Sequence, residues 1–208
     1  VNSPLVLAAA SSIGSDWINA TSGGAAGGNI TLGGAVSGAF ALTKVGSNTL
    51  TLTGANSQSG LTIALGSVTV SGANGTVGAA GATINAGPVS GITPSNALTF
   101  DYAAGTGSRI ADAQSITLNG GHFQMLGQAA NVTEGITTGN LVLNNGYNLV
   151  TLDNIGGTGN VQLLMTGAGS VTRANGATSL IRGDLLGTTV GGTTTCLLYT
   201  SPSPRDRG

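Results

Sequence analysis

The chain has 208 residues, among them 37 glycines and one cysteine, with 6% charged and 3% aromatic residues. Ordinary globular domains carry about a quarter charged residues and more large side chains, so this composition excludes a thick core anchored by aromatic rings. A hydrophobic content of 40% argues against disorder, and the net charge of −1 suggests neither nucleic acid nor an anionic membrane as a partner.

Residues 1–28 are the least regular part of the chain, and we interpret them as an irregular lead-in or the end of a preceding repeat. Beyond them, short runs in which apolar residues alternate with Thr, Ser or Ala predict strands with one buried face. Gly or Asn closes most runs, as is typical of turns. No run shows the apolar spacing of a helix. The predicted strands are 29–32, 39–44, 49–54, 61–65, 67–72, 82–87, 97–102, 115–120, 122–126, 140–146, 149–154, 161–166, 170–173 and 178–183.

The alternation is clearest in residues 38–72, where we expect Phe, Leu, Ile and Val, Phe40 included, to face the core and Thr and Ser to face solvent. A six-residue unit recurs as TLTLTG, SVTVSG and SITLNG, with a drifted version in NLVLNNG. Equivalent positions lie 18 residues apart from Leu50 to Val68 and 25 apart from Ile116 to Leu141. Such loose spacing, with so few large residues, predicts a parallel β-solenoid whose layers cover one another.

A β-sandwich is the alternative to the solenoid. Its strands recur at roughly 8–12 residues with turn signals between them, and several neighbouring pairs of predicted strands fit that spacing. The Gly and Thr bias and the scarcity of large core residues favour the solenoid.

The last residues, 196–208, differ from the rest of the chain, because they contain the single cysteine and two of the five prolines. Residues 196–206 resemble the translation of a transposase-type sequencing adapter, so we expect 196–208 to be non-native and assign the solenoid to 29–195. Without that tail the chain has no cysteine, which excludes disulfides, thiolate metal sites and a cysteine nucleophile.

Two stretches resemble a known family. Residues 40–56, FALTKVGSNTLTLTGAN, resemble the autotransporter-associated β-strand repeat, and the departures at Ser47, Asn48 and 57–60 fall in turns. Residues 98–187, with LTFD, RIADAQSITLNGGHF, NVTEGI, LVLNNGYN and SLIRGDLLG, resemble the spacer between such repeats in very large surface proteins of environmental bacteria. The resemblance implies a right-handed parallel β-helix of the passenger type, exported and displayed at the cell surface.

What the resemblance implies for function is a structural or adhesive segment of a large, secreted, autotransporter-like protein, attached to the outer membrane through other regions. The expected partners are a surface polysaccharide or a host or neighbouring cell surface. A carbohydrate-active β-helix enzyme fragment and a phage fibre β-helix are the alternatives. We expect no enzymatic activity, no cofactor and no metal. We also expect no membrane insertion, because no apolar run approaches the roughly 18 residues of a spanning helix.

Residues with reactive side chains are few. Asp101, Arg109 and Asp112 form the densest charged group, and paired carboxylates held about 5–10 Å apart could cleave glycosides, but an Arg–Asp pair closing a loop is the favoured interpretation. The lone His122 has no Ser or carboxylate at triad-like positions, which favours a structural or surface role. The remaining candidates are scattered, and the RGD tripeptide at 182–184 is interpreted as a loop salt bridge. They are Glu134, Asp153, Arg173, Arg182 and Asp184.

Two glycine-rich stretches, 156–160 and 167–170, predict turns. Neither has the Lys-Ser/Thr ending of a phosphate-binding loop, and the Asp of the GGxGxD calcium repeat is missing. Asn19, Asn29 and Asn131 stand in N-x-T sequons, which we interpret as accidental in a bacterial protein.

Overall fold

The computed structural model describes residues 1–15, 18–19, 24–25, 28–155, 158–165, 171–174 and 176–183, with only the backbone at 18–19 and 24–25. Every regular element in these ranges is a β-strand, which confirms the predicted all-β class. No described segment is a helix long and apolar enough to span a bilayer. Residues 196–208 lie outside the described ranges.

The described strands, in chain order, are β1 (Leu5–Val6), β2 (Ser11–Gly14), β3 (Ile18–Asn19), β4 (Gly24–Ala25), β5 (Ile30–Leu32), β6 (Val36–Ser37), β7 (Ala41–Val45), β8 (Thr49–Leu52), β9 (Gly60–Ile63), β10 (Ser67–Val70), β11 (Ala82–Asn85), β12 (Val89–Ser90), β13 (Thr93–Pro94), β14 (Ala97–Asp101), β15 (Ile116–Asn119), β16 (His122–Leu126), β17 (Val132–Gly135), β18 (Leu141–Leu143), β19 (Tyr147–Asp153), β20 (Val161–Leu164), β21 (Val171–Arg173) and β22 (Thr178–Gly183).

Two seven-stranded sheets contain most of these strands. Sheet I has the order β22-β19-β16-β14-β10-β8-β5, and sheet II has the order β2-β7-β9-β11-β15-β18-β21. All neighbouring strands within both sheets pair in parallel. From β7 onward the chain passes back and forth between the two sheets. This arrangement differs from the antiparallel sheets of an ordinary β-sandwich and is compatible with a β-helix or solenoid.

The strand alternation stacks apolar side chains between the sheets. Leu50 pairs with Val68, and Ile116 pairs with Leu141, so the spacings of the sequence repeat are spacings between neighbouring strands. Phe100 and Phe123 meet edge to face with their ring centroids 5.1 Å apart. Full burial of each Leu, Val, Ile or Phe side chain contributes about 1.5–3 kcal/mol, so these inward rows are the main source of stability. One such row in sheet I consists of Leu50, Val68, Leu98, Phe123 and Val150, all 0% exposed.

A third, less regular side lies on the passages from sheet I to sheet II. Here β1 pairs with β6 and β17 pairs with β20, both in parallel. Elsewhere on this side, single backbone hydrogen bonds join neighbouring segments. Ser57 N donates to Val36 O, and Ala79 N donates to Gln58 O. In residues 1–28, β1 and β2 pair in parallel with β6 and β7, whereas β3 and β4 form a separate antiparallel pair.

A row of alternating Asn and Gly follows the corner where the chain enters sheet I. Asn96 Oδ1 accepts a hydrogen bond from Gly66 N, and Asn148 Oδ1 accepts one from Gly120 N. A Cβ on Gly121 would lie 2.3 Å from Ile84 Cγ2, so a larger residue would not fit there. The glycines leave room at this corner, and the asparagine amides join the backbones of neighbouring strands. The row consists of Asn48, Gly66, Asn96, Gly121 and Asn148.

Several side chains in residues 38–72 differ from the predicted pattern, among them Val45, which is 37% exposed at the end of β7. Phe40 is 41% exposed and lies just before β7, so the prediction that it faces the core is wrong. Lys44 occupies an inward position of β7 and is fully buried. Its Nζ donates to Val45 O, Gly46 O and Leu65 O at 2.8, 2.6 and 3.1 Å. The turn carbonyls replace water around the ammonium, which allows a charged residue on the apolar face.

Candidate functional site

Rows of polar side chains run along the outer faces of both sheets. In sheet II, Asn119 Nδ2 donates to Asn85 Oδ1 at 3.0 Å and Asn144 Nδ2 donates to Asn119 Oδ1 at 2.9 Å, which forms an amide ladder. A neighbouring row of sheet II consists of Thr43, Thr62, Thr83, Thr117, Val142 and Thr172. The matching row of sheet I consists of Thr31, Thr51, Thr69, Thr99, Gln124, Thr151 and Arg182.

This row of sheet I, which we call the hydroxyl row, consists of threonines from β5 to β14 and contains other polar side chains toward β22. Gln124, Thr151 and Arg182 are register neighbours on β16, β19 and β22, so an amide and a guanidinium flank a hydroxyl. A cleft of about 270 Å³ opens beside them, and we call it the sheet I cleft. Its lining residues are Gln124, Thr151, Leu152, Asp153, Arg182 and Gly183.

Two carboxylates stand beside this cleft on the same outer face. Asp101 pairs in register with Leu126, and Leu126 pairs with Asp153, so the three residues form a second row across β14, β16 and β19. Because neighbouring strands lie about 4.8 Å apart, the backbones of the two aspartates are about 10 Å apart. Half-buried Leu126 lies between them and adds an apolar contact surface.

A hydrogen-bonded chain fixes the arginine of the cleft. Arg182 Nε donates to Thr151 Oγ1 at 2.9 Å, and His122 Nε2 lies 2.9 Å from the same oxygen. The hydroxyl therefore accepts from Arg182, and which of the hydroxyl and the imidazole donates in the second bond depends on the tautomer of His122. Burial and, to a smaller extent, the charge of Arg182 lower the pKa of His122 from 6.5 to about 4.

This pKa makes stability depend on pH. Above pH 6.5 the imidazole is neutral in both the folded and the unfolded chain, and between pH 6.5 and about 4 the unfolded chain binds the proton first. The free energy of unfolding should therefore fall by roughly 3 kcal/mol as the pH decreases through this window. Urea unfolding at pH 7 and pH 4 measures the change, and His122→Gln should remove most of it. Equal pH dependence in both proteins would contradict the assignment to His122.

Arg109 is buried inside the stack rather than placed on a surface. Its guanidinium lies 5.0 Å from the ring centroid of Tyr102. Among the described residues it is the largest fully buried side chain, and it is 0% exposed. Its Nη1 and Nη2 donate to the carbonyl oxygens of Gly72, Gly75, Asp101 and Gly105 at 2.6, 3.2, 2.9 and 3.2 Å.

Glu134 joins the same buried cluster. Its carboxyl group accepts hydrogen bonds from the Tyr102 hydroxyl at 2.5 Å, from Ser108 Oγ at 2.6 Å and from Arg109 N at 2.7 Å. Burial raises the pKa of Glu134, and these donors oppose the rise. Burial also raises the pKa of Tyr102 and lowers the pKa of Arg109. Since Glu134, Tyr102 and Arg109 are all 0% exposed, the cluster joins loops and does not contact a substrate.

The three charged residues that the sequence groups together do not share a groove. Arg109 bonds the backbone oxygen of Asp101, whereas the Asp101 carboxylate accepts from Ala103 N. The Asp112 carboxylate accepts from Thr137 Oγ1. The expected Arg–Asp ion pair is therefore replaced by arginine–carbonyl bonds, because the guanidinium is directed inward.

The remaining candidates have separate positions. Arg173 is exposed and donates to Ala177 O, and Arg182 and Asp153 line the cleft. Two of the three sequon asparagines accept hydrogen bonds from backbone N–H groups: Asn29 Oδ1 accepts from Thr49 N, and Asn131 Oδ1 accepts from Asn160 N. Asp184, the side chain of Asn19, residues 156–157 and residues 167–170 lie outside the described part of the chain.

Sequence reasoning missed Gln124, Thr151 and Leu126 as site residues. The alternation already places Gln124 and Thr151 on outward positions of predicted strands. What was missing is the register that makes them neighbours of Arg182, because loops of different lengths separate the three strands.

No group of three or more His, Cys, Asp and Glu able to hold a metal ion occurs in the described ranges. The fold and the site thus define an all-β protein with two parallel sheets and a polar cleft on one outer face. No protein-family model matches the chain, and no curated protein or solved structure matches it either.

Proposed function

We propose that this chain is a right-handed parallel β-helix segment with a structural or adhesive role in a secreted, autotransporter-like bacterial surface protein. The observation that carries the proposal is the passage of the chain between two parallel sheets with hydroxyl and amide rows outside. The resemblance of residues 40–56 to the autotransporter-associated repeat supports the cellular setting.

The polar residues of that repeat serve a building role. Asn56 Oδ1 accepts from Val36 N at 2.8 Å, and Asn56 Nδ2 donates to Thr76 O at 2.7 Å. One side chain thus connects segments 20 residues before it and 20 residues after it. Lys44 fills the same kind of role at the turn after β7. Such positions favour a repeat whose polar residues hold layers together.

The positions of the reactive side chains favour a non-catalytic role. His122 is buried and bonded to Thr151, and Glu134 is fully enclosed. A general acid or base must reach a proton on the substrate, which neither residue can do from these positions. The Asp101 carboxylate accepts from Ala103 N in its own loop, whereas the Asp112 carboxylate accepts from Thr137 Oγ1, 25 residues later.

The test is an incubation of the full chain with soluble polysaccharides, followed by measurement of new reducing ends. We expect no saturable turnover. Turnover that is lost on Asp101→Asn or Asp112→Asn would overturn the proposal in favour of a carbohydrate-active enzyme. Light scattering on the same preparation separates the phage-fibre alternative, since a stable trimer would contradict the assignment.

A further inference from the structure

We infer that the sheet I cleft binds a neutral sugar residue of a polysaccharide. The inference rests on the adhesive function proposed above and adds to it a place and a ligand chemistry. Within one small depression, the cleft brings together the amide of Gln124, the carboxylate of Asp153 and the guanidinium of Arg182.

These groups match the chemistry of sugar hydroxyls. Each hydroxyl both donates and accepts, so adjacent hydroxyls on a ring require donors and acceptors side by side. The Gln124 amide supplies both kinds of group, the Asp153 carboxylate accepts, and the Arg182 guanidinium donates in a fixed planar geometry. Hydrogen bonds to the two charged groups are the stronger ones.

The donors are held in place before a ligand arrives. Arg182 Nε is bonded to Thr151 Oγ1, and the same oxygen is hydrogen-bonded to His122 Nε2. Gln124 and Thr151 lie on adjacent paired strands, which hold side chains more firmly than loops do. Leu126, half-buried beside Asp153, offers an apolar surface for the C–H face of a ring.

Size and charge narrow the ligand class. A volume of about 270 Å³ is just below the range of about 300–1,000 Å³ in which drug-sized ligands bind, so one or two sugar rings are the expected occupant. Asp101 and Asp153 outnumber Arg182 on this face, so a uronate chain would be repelled. A neutral polysaccharide meets no such repulsion and can continue along the hydroxyl row of sheet I, from Thr99 toward Thr31 on β5.

Affinity electrophoresis of the full chain tests the site, with dextran, soluble xylan and laminarin as neutral probes and polygalacturonate as the acidic probe. We expect at least one neutral probe to retard the chain, with binding weakened about tenfold by Gln124→Ala and by Asp153→Asn. Asp112→Asn is the matched control, because it removes the same charge at a different loop and should leave retardation unchanged.

Several outcomes would overturn the site. These are no retardation by any neutral probe, retardation by polygalacturonate alone, or an equal effect of Gln124→Ala and Asp112→Asn. Circular dichroism confirms that each variant keeps its strands, and Gln124→Glu provides a second outward variant that changes charge without loss of size. If the chain neither binds nor cleaves the polysaccharides, the cleft assignment fails and the proposed structural role stands. Cleavage would contradict the proposed function itself.

Discussion

Arg109→Met should lower the free energy of unfolding by about 4 kcal/mol or more, because four buried carbonyl oxygens lose their charged donor at once. Methionine fills much of the volume, so the loss reports missing hydrogen bonds more than a cavity. The guanidinium also lies over Tyr102, and that contact disappears. Because the carbonyls belong to residues 72–75 and 101–105, the substitution should loosen two neighbouring layers together.

Urea unfolding at pH 7, followed by circular dichroism, measures this loss. The control is Arg173→Met, since Arg173 is exposed and has a single described bond, to Ala177 O. That substitution should change the free energy of unfolding by less than about 1 kcal/mol. If both variants unfold at the same urea concentration, Arg109 does not stabilise the stack as described.

Asn96→Ala should be the second most damaging change, with a loss of about 3 kcal/mol. Asn96 Nδ2 donates to Ala64 O, Asn85 O and Ala86 O, and its Oδ1 accepts from Gly66 N. Alanine provides none of these bonds, and Asn96 is 0% exposed, so water has no direct route to the orphaned groups.

The matched control is Asn144→Ala on sheet II. Asn144 is exposed and donates one bond, to Asn119 Oδ1, so its replacement should cost less than about 1 kcal/mol. Thermal unfolding of the two variants gives the comparison. Equal midpoints would show that the corner asparagines do not hold the layers together.

Much of the fold could be predicted because alternation is a local property. The alternation in Thr49–Leu52 predicts a strand with Leu50 and Leu52 facing inward, and both leucines are 0% exposed. The 18-residue repeat even gave the register of Leu50 with Val68. Phe40 was wrongly placed because the strand begins one residue after it, at Ala41, and pattern alone does not fix where a strand starts.

The polar interior and the cleft could not be predicted, because both depend on contacts between distant residues. Glu134 was grouped with scattered charges, yet it bonds Tyr102, 32 residues earlier. Arg182 and Thr151 are 31 residues apart and meet only because β19 and β22 are in register. Because the loops between the strands differ in length, the sequence has no regular spacing from which these contacts could be predicted.

A chain with few large side chains relies on these polar contacts more than an ordinary domain does. Lys44, Asn96 and Arg109 all direct buried donors at backbone carbonyls of neighbouring turns. Each satisfies groups that the thin core would otherwise leave unpaired, at positions where glycine-rich turns approach closely.

Disulfide cross-linking tests the stacked parallel arrangement most directly. In a Cys196→Ser background, Thr51→Cys with Thr69→Cys places two thiols on register neighbours of sheet I. Their Cα atoms lie about 4.8 Å apart, within disulfide range. Thr51→Cys with Thr83→Cys places the second thiol on sheet II, and no bond is possible there. Under dilute oxidation we predict a rapid intramolecular disulfide in the first pair only. Failure of the first pair, or equal cross-linking of both, would contradict the parallel stack.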